Sequence, residues 1–112
     1  MLEVCRREGG FIVTGHANYA EYGKDIVCSA VSALLQTFIA SVEEFTEDQL
    51  TTELTAGYAA VFYKNLSESA EILLDSFFLG VSMIANEYPK YVKMTRRGSH
   101  EKLRQNGAGV EH

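Results

Sequence analysis

The sequence is poor in the features that define several protein classes. One proline, and nine glycines in no fixed period, exclude a collagen-like or low-complexity chain, and two cysteines in 112 residues exclude a disulfide scaffold. Cations are also scarce. Ten Lys and Arg stand against fifteen Asp and Glu, a formal net charge of −5, which argues against a general electrostatic grip on nucleic acid. No run approaches the ~18 apolar residues needed to cross a bilayer, and Met1 to Arg7 lacks an apolar signal core. These absences predict a cytoplasmic protein with no membrane contact. In a reducing compartment Cys5 and Cys28 are expected as free thiols. With three histidines in no ligand-like spacing they provide no metal site, and no cofactor is expected.

What is present is an ordinary globular composition, 46% hydrophobic and 22% charged. A folded chain near this size buries roughly two-thirds of the surface it exposes when unfolded, enough for a core without staples. The charge is uneven. Residues 1 to 56 hold three basic and nine acidic residues, net −6, and residues 57 to 112 hold seven and six, net +1. Six cations fall between Lys90 and Arg104, so a local RNA contact stays open beside the plainer reading of a solvated tail.

Alternation over Leu2–Arg7, a Gly9-Gly10 break and the apolar run Phe11–Thr14 predict two strands joined by a hairpin. The stretch from Gly15 to Gly23 has neither helical nor strand period and is bracketed by glycines, as in a surface loop with hinged ends. From Ile26, the residues Val27, Ala30, Val31, Leu34, Phe38, Val42 and Phe45 share one helical face, with Asp25 placed as N-cap. Leu50–Thr55 and Tyr58–Tyr63 predict a second hairpin about Ala56-Gly57. Ser67 is placed to cap a second helix that Pro89 stops near Tyr88. That helix carries two stripes, one of Ala70, Leu73, Leu74, Phe77, Val81, Ile84 and Tyr88, the other of Ile72, Leu79 and Met83. A helix apolar on two sides lies centrally in the core or meets a partner subunit. Tyr91–Arg96 completes the order ββαββαβ, an α+β fold with two helices packed on a largely antiparallel sheet. Residues 1–97 form the single domain. Residues 98–112 form a loose polar tail, whose Gly98-Ser99-His100 and Val110-Glu111-His112 leave open an origin outside the natural chain.

Among these elements the chemistry concentrates on Cys28, three residues after the expected cap. There, first-turn amides and the helix dipole favour a thiolate, the nucleophilic form of cysteine. His16 lies twelve residues earlier, where the second strand opens into the loop, within reach of the sulfur if that strand packs beside the helix start. A small core cysteine and a polar loop histidine are the plainer alternatives. Cys5, in mid-strand with no nearby histidine, is assigned to packing.

The run GHANYAEYGKDIVCSAVSAL from Gly15 to Leu34 resembles the signature of the ribosomal-processing cysteine proteases, the Prp family: GHA, a tyrosine-bearing loop, then G-x-DIVC-x-x-VS. The resemblance implies a cytoplasmic endopeptidase, homodimeric, that removes the N-terminal extension of a large-subunit ribosomal protein during ribosome assembly. By that likeness His16 and Cys28 match the catalytic pair. Asp25 either orients His16 or only caps the helix, and Ser32, one turn after Cys28, either hydrogen-bonds the sulfur or a bound peptide or simply permits close packing. The loop bounded by Gly15 and Gly23 would be a lid whose Tyr19 and Tyr22 offer apolar surface to the substrate, unless those rings dock on their own domain. The rivals are a non-catalytic ribosome-associated factor using Lys90, Lys93, Arg96, Arg97, Lys102 and Arg104 on RNA, and a thiol redox sensor, which lacks a resolving cysteine.

Overall fold

A computed structural model describes residues 1–15 and 22–96. Its order is β1 (Leu2–Arg7), β2 (Gly10–Thr14), α1 (Tyr22–Phe45), β3 (Thr51–Thr55), β4 (Tyr58–Phe62), α2 (Glu68–Glu87) and β5 (Val92–Arg96). The five strands form one sheet in the order β3-β4-β2-β1-β5. Three neighbouring pairs are antiparallel; β5 runs parallel to β1, with Val92 beside Leu2 and Arg96 beside Arg6. The expected α+β architecture with a largely antiparallel sheet is the observed one.

Strand alternation sorts the residues between two faces. Leu2, Val4, Phe11, Val13, Ala59, Val61 and Val92 point at the helices and are buried with Val27, Val31, Leu35, Phe38 and Val42 of α1. From α2 come Ala70, Leu74, Phe77, Phe78 and Val81. An aromatic cluster ties the layers together: Phe11 stacks on Phe77 at 4.7 Å between centroids and meets Phe78 edge-on at 5.4 Å. Leu34 of α1 lies against Gly80 of α2, where the missing side chain lets the helices approach. At the start of α2 the Ser67 hydroxyl accepts the Ala70 amide at 3.2 Å, as a cap should, and donates to Asp48 at 2.8 Å.

Three expectations are corrected, and one open alternative, the place of the second stripe of α2, is decided. Helix α1 begins at Tyr22, not Ile26, so Asp25 is not its N-cap but its fourth residue, and Tyr22 and Gly23 belong to the helix rather than to the loop. A carboxylate in a first turn still suits the positive end of the helix dipole, and one glycine there is tolerated. Leu35 replaces Leu34 in the buried stripe, and Phe45 is exposed at the helix's last residue. The second stripe of α2 is not internal: Ile72, Leu79 and Met83 are 65%, 62% and 64% exposed. Finally, Ile26–Phe45 is a 20-residue helix long and apolar enough, by length and composition, to cross a membrane. Its alanines, Ala30, Ala33 and Ala40, add to that apolarity without being buried. In the fold the segment is the amphipathic helix whose Val27, Val31, Leu35, Phe38 and Val42 are packed in the core.

Candidate active site

The strands and helices define two poles. At one, β2 ends at Thr14, β1 begins at Leu2 and α1 starts; at the other lie the β1–β2 turn and the ends of β1 and β5. Cys28 belongs to the first pole. It is a free thiol, half-buried, packed against the edge of the core. At 100° per residue it stands about 120° round the helix from Leu34, on the side of α1 turned away from α2. Ser32 follows one turn later and is exposed to solvent, which leaves its hydroxyl free for a ligand rather than engaged in close packing.

The backbone just before the signature histidine is held on two sides. The Gly15 amide donates to the Gly57 carbonyl at 3.1 Å, tying the end of β2 to the β3–β4 turn. Gly15 has φ +99°, and a Cβ there would run into the carbonyl of Met1. Only glycine meets both demands without strain. Met1 and Gly57 were not singled out from the sequence as supports of the site. The one signal was Ala56-Gly57 as a turn, and pairing between distant turns carries no local signature.

His16 and Tyr19 lie outside the described residues, as does the loop between Gly15 and α1. Tyr22, Gly23 and Asp25 are placed only as backbone in the first turn of α1. With α1 beginning at Tyr22, Cys28 is its seventh residue. The unbonded first-turn amides therefore end about 6 Å or more before it along the axis. A helix dipole acts mainly within its terminal turn, so the expected support from the helix end falls short of Cys28.

Cys5 is placed very differently. Its side chain leaves the sheet on the face away from both helices, in a cross-strand row with Ile12 and Ala60, and is 7% exposed. The sheet separates it from Cys28, so no disulfide joins them and Cys5 cannot serve as a resolving thiol without unfolding. The basic segment is also divided: in β5, Lys93 and Arg96 project from opposite faces, so the described part of it forms no single stripe for RNA. Among the described residues, no group of three His, Cys, Asp or Glu side chains is placed to hold a metal.

Comparison with known proteins bears on the family and the fold. The chain is 28% identical over 96 residues to the ribosomal processing cysteine protease Prp of Mycoplasma genitalium, covering 82% of this chain and 92% of that protein. It is 30% identical over 95 residues to the Bacillus subtilis Prp, covering 76% and 82%. The crystal structure of the Staphylococcus aureus Prp with a substrate peptide superimposes with a TM-score of 0.81 at 21% identity, over 87% of this chain and all of that one, a likeness of fold. The sequence profile of the cysteine protease Prp matches residues 4–93, and on that match the chain belongs to the Prp family of cysteine proteases.

Proposed function

We propose that the protein is an endopeptidase that removes the N-terminal extension of a large-subunit ribosomal protein in the bacterial cytoplasm, with Cys28 as nucleophile and His16 as its acid and base. The observation that carries this reading is the contrast between the two cysteines. Cys28 is half-buried at the pole where β2 hands the chain to His16, whereas Cys5 is enclosed on the far face of the sheet. The relatives' name, ribosomal processing cysteine protease, supports a ribosomal substrate.

The chemistry follows from the residue types. His16 takes the thiol proton, and the Cys28 thiolate adds to the scissile carbonyl. His16 then returns the proton to the departing amine, releasing the mature protein and leaving the extension as a thioester on Cys28. Water, deprotonated by His16, cleaves that thioester and regenerates the thiol. Because the first-turn amides of α1 stand back from Cys28, activation of the sulfur rests chiefly on His16. Asp25, three residues before Cys28, orients the imidazole, and Ser32 holds the peptide beside the sulfur. The segment from Gly15 to the start of α1 acts as the lid, with Tyr19 as its apolar contact and Gly15 as its fixed end, and Tyr22 meets the substrate from the first turn of α1.

The exposed stripe of Ile72, Leu79 and Met83 supports a homodimer, since three large apolar side chains aligned on one helix face are costly to leave in water. Incubation with synthetic N-termini of large-subunit ribosomal proteins, read by mass spectrometry, tests the assignment. A single cut made by the wild type and not by Cys28→Ala is expected; equal cutting by both refutes it.

A further inference from the structure

At the pole opposite Cys28 a cavity of about 690 Å³ opens between the sheet and α2. Arg6, Arg7 and Arg96 stand on its sheet side, Glu71 and Asp75 on the α2 side, and Tyr63 also lines it. Arg6 and Arg96 are register partners in the parallel β1–β5 pair, so their side chains leave the same face of neighbouring strands, whose backbones run about 4.8 Å apart. Like charges at paired positions of adjacent strands repel, and the usual remedy is a carboxylate between them. Among the described residues, no ion pair joins either one to Glu71 or Asp75. Instead the Arg6 guanidinium lies over the Phe78 ring, 4.3 Å from its centroid. Stacking on the ring holds the cation at the cavity wall, and a guanidinium carries five N–H donors in a planar fork that matches oxyanions. Burial pushes the Tyr63 phenol above its ordinary pKa, against a smaller opposing pull from the Arg6 charge. That phenol therefore remains a hydrogen-bond donor at neutral pH.

We propose that this cavity binds a nucleoside phosphate, with phosphate oxygens accepting from Arg6 and Arg96 and sugar hydroxyls donating to Glu71 and Asp75. Its size lies in the range of small-molecule pockets, far more than one phosphate fills. The two carboxylates on the facing wall disfavour an extended polyanion such as an RNA backbone, yet they suit a ligand that is anionic at one end and carries hydroxyl donors at the other. The inference does not depend on the protease reading, since the cavity shares no residue with the Cys28 site.

Titration calorimetry of the full chain with ADP, GDP, inorganic phosphate and a short single-stranded RNA tests it, with thermal melting as a second readout. A nucleoside diphosphate is expected to bind at least tenfold more tightly than inorganic phosphate and to raise the melting temperature. Loss of one charge-assisted bidentate contact in Arg96→Gln, a change at an exposed position, should weaken it roughly tenfold or more. Glu71→Gln with Asp75→Asn should weaken nucleotide binding but not phosphate binding, and Cys28→Ala should bind like the wild type. Absence of nucleotide binding, equal affinity for inorganic phosphate, tighter binding of RNA than of nucleotide, or an Arg96→Gln protein of unchanged affinity would each overturn the proposal.

Discussion

Replacing Gly15 by alanine perturbs the one described residue that joins the signature histidine to the sheet. The residue sits at φ +99°, where an L side chain costs about 1–3 kcal/mol. The new Cβ would also meet the Met1 carbonyl and approach the Leu2 Cα at 3.2 Å, both backbone atoms that cannot swing aside. Relieving that contact pulls Gly15 from the Gly57 carbonyl, 3.1 Å away, at about 1 kcal/mol for a hydrogen bond of this kind. Together the terms give about 2–4 kcal/mol, and for a domain of this size each kcal/mol lowers Tm by roughly 4–8 °C. Cleavage should suffer more than stability. A catalytic group displaced by about 1 Å can cost 10²-fold in rate, so kcat/KM measured well below the new Tm should fall by about that factor. Gly9→Ala is the control. Gly9 has φ +80° in the β1–β2 turn, at the pole away from Cys28, so the variant should lose about 1–3 kcal/mol of stability and keep most of its activity. A Gly15→Ala protein with unchanged Tm and unchanged kcat/KM would refute the reasoning.

Three further outcomes are expected. Brief iodoacetamide treatment of the native protein should label Cys28 well before Cys5, because Cys5 is sealed on the far face of the sheet; equal labelling, read by peptide mass mapping, would contradict the placement. Leu79→Asp, at a side chain 62% exposed, should leave the monomer's stability within about 0.5 kcal/mol yet shift the mass in light scattering from dimer toward monomer, and an unchanged dimer would remove α2 from the interface. Tyr63 should ionise above the ordinary tyrosine range, mainly because it is buried. The folded state then holds its proton after the unfolded chain has released it, so this contribution to stability is present below about pH 10 and is lost as pH rises through the folded value. Alkaline titration by ultraviolet absorbance, with Arg6→Gln moving the transition higher still, checks the direction and its second cause.

The parts of the fold that were legible in the sequence are those where one local rule acts alone. Ser67 as a cap, Pro89 after the α2 stop and the 2-residue alternation of β1 each follow from neighbours within a few positions, and the structure places them as expected. The start of α1 was missed because Gly23 reads as a breaker in isolation, while within a first turn its amide needs no helical acceptor. Phe78, outside the expected stripe, is buried because α2 also faces Arg6 and Phe11, a pairing across distant elements that no window of sequence reveals. The same holds at the site. The signature from Gly15 to Leu34 pointed to His16 and Cys28, but the ties of Gly15 to Gly57 and Met1 arise only when two hairpins and the N-terminus meet.

The most direct test of the central claim is capture of the covalent intermediate. The wild-type protein, quenched in acid during turnover of a ribosomal-protein N-terminal peptide and digested, should yield the Cys28 peptide heavier by the mass of the released extension less one water, as a thioester requires. The adduct should disappear after neutral hydroxylamine. An adduct on Cys5, or turnover with no adduct and undiminished cleavage by Cys28→Ala, would contradict the account.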